Sequence, residues 1–108
     1  MRIYITGVIS KGGTLSLSEI NNNLHKFRLA AELLRSQGHD PTDPTWHDPE
    51  GEDERSTTLA GWVEYLRKDI KLLMDCDAIY LLKGWEESRG SRLEVYIARE
   101  LGLEEIYE

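Results

Sequence analysis

Two carboxylates in this chain occupy positions where a solvent-facing charge is not expected. Leu59, Trp62, Leu66, Ile70 and Leu73 step by 3, 4, 4 and 3 residues, the spacing of one helix face. Glu64, Arg67, Lys68 and Lys71 fall together on another arc. Asp69 does not join them. It follows Trp62 by seven residues and Leu66 by three, and precedes Leu73 by four, so it lies on the apolar side beside Tyr65 and Trp62. Glu94 repeats the pattern: Ile97, Ala98 and Leu101 follow it by three, four and seven residues. A carboxylate on a buried face is costly unless it is paired or hydrogen-bonded. Burial raises its pKa and nearby donors lower it. Sites that need an acid and a base, or a carboxylate nucleophile, use such placements. The alternative for each residue is a structural carboxylate that caps a helix or pairs with an arginine, and both readings stay open on these residues alone.

A second feature lies just before Glu94. Ser88-Arg89-Gly90-Ser91-Arg92 follows an apolar run and enters the helix that carries Glu94. Helix N-termini present free N–H groups and the positive end of the macrodipole, which suit phosphate or carboxylate. Gly90 permits close approach to the backbone, the two serines offer hydroxyls, and Arg89 and Arg92 offer charge. An anion at Gly90 would lie about one turn from the Glu94 carboxylate. The plainer reading is a serine N-cap with arginines paired to Glu86 or Glu87.

Other residues weigh less. Tyr4 belongs either to the core or to a site, and alternation does not decide between them. Trp46 and His47 sit in an acidic loop, where an aromatic could stack on a base or serve as a packing lid. Trp85 could wall a pocket. His25, His39 and His47 share no metal-ligand spacing, and no metal or cofactor is expected. Asp43, Asp48, Glu50, Glu52, Asp53 and Glu54 lack the pattern of a calcium loop and suit a solvated segment. Cys76 is expected to be inert core, and a lone cysteine excludes an intrachain disulfide.

The elements that must position these groups alternate. Arg2 to Thr6 predicts a strand. Gly7 to Leu17 is a loop, with Ser18 as N-cap of a helix on which Leu24, Phe27, Ala31 and Leu34 share a face and which Gly38 ends. His39 to Pro41 is a weak strand. Pro41 to Thr57 is a long irregular loop. A helix from about Thr58 to Asp75 precedes a buried strand, Asp77 to Leu82. Lys83 to Arg89 is a loop, Gly90 to Leu101 a third helix ended by Gly102, and Glu105 to Tyr107 a last strand. Strands alternating with helices predict a parallel sheet covered on both faces, with ligands at the strands' carboxyl ends.

Composition narrows the partners. The 108 residues suit one domain. Thirteen basic against twenty acidic residues give a net charge of −7, which argues against nucleic-acid and membrane-surface binding. No apolar run reaches the length of a membrane span, and no charged-then-apolar leader precedes residue 10, so a cytoplasmic location is expected.

With these residues in view, the chain resembles the nucleoside 2-deoxyribosyltransferase superfamily, especially its short phage and prophage domains of unassigned function. It is also similar to the 2′-deoxynucleoside 5′-monophosphate N-glycosidases. Three blocks carry the likeness. They are Ile3-Tyr4-Ile5-Thr6-Gly7-Val8-Ile9, then Lys68-Asp69 with Leu72 and Asp75-Cys76-Asp77-Ala78-Ile79, and then Ser88-Arg89-Gly90-Ser91-Arg92-Leu93-Glu94 with Ala98 and Gly102. The third block is the most specific. The resemblance implies a single deoxyribosyltransferase-like domain over 1–108. Its fold would be a three-layer Rossmann or flavodoxin-like α/β fold with a short parallel sheet of about four strands.

The resemblance also implies roles. Glu94 would be the nucleophile at the anomeric carbon of the sugar. Asp69 would handle the proton of the leaving base or orient the sugar, and Tyr4 would hydrogen-bond the nucleophile. Ser88 and Gly90, beside Arg89, would hold a 5′-phosphate, with the backbone of Gly7 to Ile9 and Lys11 closing the same end. Trp46 and Trp85 are the aromatic candidates for a base pocket. The implied activity is cleavage of the base–sugar bond of a nucleoside 5′-monophosphate, or the related deoxyribosyl transfer. A nucleotide-binding protein without turnover is the alternative, and an interaction protein that merely inherits the fold is a third. The chain departs from several relatives at Val8, where they carry proline, and it has four strands where larger enzymes have five. Many of those enzymes complete the site with a neighbour's residues, so a homodimer or higher oligomer is expected.

Overall fold

A computed structural model of the protein describes residues 1–47 and 59–108. Four strands, β1 (Arg2–Thr6), β2 (Asp40–Thr42), β3 (Ala78–Leu81) and β4 (Glu104–Tyr107), form one sheet in the order β2-β1-β3-β4. All three pairings are parallel. Three helices connect them: α1 (Leu17–Ser36), α2 (Leu59–Met74) and α3 (Arg89–Glu100). This is the expected α/β, flavodoxin-like arrangement with helices on both faces. The chain leaves β1 for β2 on one side and returns to β3 on the other, so the carboxyl ends of β1 and β3 form the switch point where ligands bind in such sheets.

Period-two alternation distributes β1 between two cores. Ile3 and Ile5 pack with Ala78, Tyr80 and Leu82 against α1, through Leu24, Phe27, Ala31 and Leu34. Tyr4 faces the other way, into a cluster with Leu73, Ile79, Leu81, Val95 and Ala98. Thr6 shares Tyr4's parity and is likewise buried. A strand covered on both faces explains the near-continuous apolar runs of β1 and β3.

The element ends depart from expectation in small, explicable ways. Helix α1 is capped by Ser16, not Ser18. The Glu19 N–H donates to Ser16 Oγ at 3.2 Å and the Ser16 N–H to Glu19 Oε1 at 3.1 Å, a reciprocal capping box that needs a glutamate three residues after the cap. At the other end Gly38 adopts φ 86° and its N–H donates to the Arg35 carbonyl. Strand β2 lies one residue later than expected. It is an edge strand, where the missing N–H of Pro41 is tolerated. Helix α3 begins at Arg89, one residue early, because Ser88 caps it through the Ser91 N–H. Short 3₁₀ turns occupy Pro44–His47 and Trp85–Glu87 within the expected loops.

Ser16→Ala should cost about 1 kcal/mol of stability and lower Tm by several degrees, whereas Ser18→Ala should leave Tm nearly unchanged. Thermal denaturation of the two variants checks the cap; equal effects would refute it.

Candidate active site

A shallow, solvent-open cleft lies at the switch point. Strand β1 supplies Tyr4 and Thr6 to its floor, α2 supplies Trp62, Tyr65 and Asp69 to one wall, and α3 supplies Ser88, Gly90, Ser91 and Glu94. Ile9, Phe27 and Pro44 complete it on the apolar side.

Glu94 is the centre. It is 5% exposed and accepts hydrogen bonds from two hydroxyls of one strand face. Tyr4 Oη donates to Oε2 at 2.8 Å, and Thr6 Oγ1 donates to Oε1 at 2.8 Å. The Asp69 side chain, 3% exposed, is hydrogen-bonded to the same carboxylate. Burial pushes the Glu94 carboxyl up to about 7, against the opposing pull of the bonds from Thr6, Tyr4 and Asp69. Two carboxyls in hydrogen-bonding contact cannot both be ionised at low cost, so they share a proton. Tyr4 stays a neutral donor: burial first, then the Glu94 and Asp69 charges, hold its hydroxyl well above the usual phenol range. Glu94 is thus a carboxyl pushed toward neutrality beside a second carboxyl, a pairing that can serve acid–base or nucleophilic chemistry.

The α3 N-terminus borders this pair. Ser88 Oγ accepts the Ser91 N–H at 3.1 Å, and its own proton remains available to donate to a ligand in the cleft. The first amides of the helix, at Arg89 and Gly90, lack intrahelical acceptors. A Cβ built on Gly90 would stand 3.6 Å from Trp62 Cη2 and 3.9 Å from Ser88 Oγ, so the glycine keeps open the space between that ring and that hydroxyl. The Arg89 guanidinium lies 4.5 Å from the centroid of the Trp62 ring, which holds a positive charge beside the cleft.

Not every expected site residue lines the cleft. Gly7 lines the cleft, but its missing side chain serves packing: a Cβ there would lie 2.8 Å from Leu82 Cδ1 and 2.9 Å from Leu82 Cβ. Ile9 also lines the cleft, and its carbonyl is held by Asn23 Nδ2 at 3.0 Å. Lys11 does not line it. Left-handed backbone (φ 51°) carries Lys11 to an ion pair with Glu87 at 3.4 Å. Trp85 is likewise no wall; the turn after β3 packs it onto the core cluster of Leu81 and Val95. The side chains of Trp46 and His47, and the acidic run from 48 to 54, lie outside the described residues. Thr6 and Trp62 were not singled out by sequence as site residues, and Ser91 was marked only as a hydroxyl of the anion turn. Thr6 carried a usable signal, since it lies two residues from Tyr4 and shares its strand face. Trp62 carried another, one helical period from Asp69.

The fold and this cleft define an α/β protein with a buried carboxylate pair at its topological switch point. The chain belongs to the family described as a domain of unknown function, DUF4406, whose model matches residues 1–107. No curated protein matches the chain. Among the described residues no cluster of three metal-ligating side chains occurs, and no helix is long and apolar enough to cross a membrane.

The raised pKa of Glu94 has a consequence for stability. Its carboxyl rises from 4.5 in the ordinary state to about 7 in the fold, so the folded protein binds the proton more tightly. The resulting stabilisation is complete below the ordinary value and is lost as pH rises through the folded one. Wild type should therefore lose several degrees of Tm relative to Glu94→Gln between about pH 5 and about pH 8. A constant difference in Tm across that range would show that Glu94 does not titrate there.

Proposed function

We propose that this protein is an N-glycosidase that cleaves the base–sugar bond of a nucleoside or deoxynucleoside 5′-monophosphate. The observation that carries the reading is the Glu94 carboxylate held by Tyr4 and Thr6 and hydrogen-bonded to Asp69, in a cleft bordered by the N-terminus of α3. Glu94 attacks the anomeric carbon and the C–N bond breaks, its electron pair staying on the base nitrogen. The Asp69 carboxyl gives its proton to the leaving base. Asp69, now ionised, takes a proton from water as that water attacks the glycosyl ester, and Glu94 leaves as a carboxylate. Tyr4 and Thr6 keep the nucleophile in one orientation throughout. The phosphate is held by the Ser88 hydroxyl, the free amides of Arg89 and Gly90 and the Arg89 charge. Trp62 offers the aromatic surface. Transfer of the deoxyribosyl group to a second base follows if a base replaces water in the second step.

A homodimer or higher oligomer belongs to the same reading. Exposed Leu93 and Tyr96 on α3 support contact with a second copy, and a monomer in sedimentation would overturn that part.

The test incubates the protein with the common ribo- and deoxyribonucleoside 5′-monophosphates and resolves free bases by chromatography. Free base should appear from at least one nucleotide. Glu94→Gln should lower kcat by about 10³-fold or more, and Asp69→Asn should slow the reaction strongly. No free base, with a clear melting shift on adding one nucleotide, would instead establish a binding protein without turnover.

Gly90→Ala separates ligand space from folding. Alanine is the better helix former, so Tm should hold or rise slightly. Binding of the nucleoside monophosphate, followed by calorimetry, should weaken about tenfold or more as the methyl group enters the gap beside Ser88. Unchanged affinity would place the phosphate elsewhere.

A further inference from the structure

The hydroxyls of Thr6 and Ser91 stand between the Glu94 carboxylate and a backbone carbonyl. Thr6 Oγ1 lies 2.8 Å from Glu94 Oε1 and 2.8 Å from Ser91 Oγ, and Ser91 Oγ lies 3.1 Å from the Gly7 carbonyl oxygen. All three side chains are buried. Each contact between oxygens needs one proton between them. The carbonyl has none, and each hydroxyl has one. When Glu94 carries a proton on Oε1, three protons serve three contacts in one direction: Glu94 donates to Thr6, Thr6 to Ser91, and Ser91 to Gly7. When Glu94 is ionised, two protons remain. The charged oxygen forms the stronger bond, so Thr6 turns to Glu94 and Ser91 turns to Thr6. The Gly7 carbonyl then loses the Ser91 proton.

We propose that Thr6 and Ser91 are positioning residues that form a two-hydroxyl relay. Its direction follows the charge on Glu94, and it ties that charge to the anchoring of the Gly7 carbonyl. No proton travels along the relay; each hydroxyl keeps its own and rotates. The loop after β1, which lines the cleft through Gly7 and Ile9, is thereby held more firmly when Glu94 is neutral and less firmly when it is charged. The other groups that face Glu94 are Tyr4 from β1 and Asp69 from α2, with Tyr65 of α2 beside Tyr4. They are present in every variant below, so differences between variants report the relay. Its meaning for catalysis rests on the proposed nucleophilic role of Glu94; its existence does not.

The test is titration of Glu94 by carbon NMR in protein labelled at glutamate side-chain carboxyls and glycine carbonyls. Thr6→Val keeps the shape of the side chain and removes the donor to the charged carboxylate, so the Glu94 midpoint should rise by about one unit. Thr6→Ser should restore it. Ser91→Ala acts in the opposite sense. It deprives the neutral arrangement of two bonds and the charged arrangement of one, so the midpoint should fall by about half a unit. In wild type the Gly7 carbonyl resonance should shift with the Glu94 midpoint, and in Ser91→Ala that shift should vanish. A Ser91→Ala midpoint that rises or stays in place, or a Gly7 carbonyl that does not titrate in wild type, would overturn the relay. Ser91→Ala and Thr6→Ser keep the question decidable even if Thr6→Val fails to fold. None of these readouts needs turnover. An intact relay without free base in the product assay would count against the enzyme alone, and free base without the relay would count against the relay alone.

Discussion

A carboxylate has to be kept inside this protein, and much of the architecture follows from the way it is kept there. Glu94 lies on the face of α3 that packs on the sheet, where an unpartnered charge would cost far more than a domain of this size can supply. Three hydrogen-bond partners from two other elements lower that cost: the Tyr4 and Thr6 hydroxyls of β1 and the Asp69 carboxyl of α2. Each sits at a defined place in a regular element. Tyr4 and Thr6 share one face of a strand, and Asp69 shares the apolar face of a helix. A shift of β1 by one residue would replace both hydroxyls with the isoleucines that now face α1.

The two faces of the sheet therefore carry different duties. The α1 face is apolar and its residues interdigitate as ordinary core. The opposite face is apolar along β3, around Leu73, Ile79, Leu81 and Val95. Beside β1 it turns polar, with Tyr4, Thr6, Asp69, Ser88, Ser91 and Glu94 converging on one cleft. The switch point is the place where this is sterically allowed, because the chain departs there in opposite directions and leaves the strand ends uncovered. The two glycines beside the cleft serve opposite physical ends. Gly7 is filled from outside, with Leu82 in the space a side chain would need, whereas Gly90 keeps a space open next to Trp62 and Ser88.

Charge is arranged locally against the overall balance. The chain carries a net −7, and the cleft itself holds two carboxyls. An anionic ligand is favoured only at one end, where the first amides of α3 point outward and Arg89 is held over the Trp62 ring. Lys11, the cation of the first loop, is engaged by Glu87 instead. The substrate proposed above, with a negative end and a neutral body, would match this division.

Sequence alone determined the alternation of strands and helices, the parallel sheet and the misplacement of Asp69 and Glu94. Those properties are periodic, and a period of 2.0 or 3.6 residues is visible in one dimension. It also marked Ser88 and Gly90, because a capping serine before a helix is a local signal. Tertiary structure decided the rest. That Trp62 and not Trp85 walls the cleft depends on how a helix and a turn pack against one sheet, and no local pattern encodes it. That Lys11 leaves the site depends on a pairing 76 residues away. Nothing in the chain pairs Thr6 with Ser91. They meet only because parallel strand register and helix docking bring a hydroxyl from residue 6 and one from residue 91 to 2.8 Å of each other beside the same carboxylate. Short-range periodicity shows which face a residue occupies; only the packed fold shows what stands opposite.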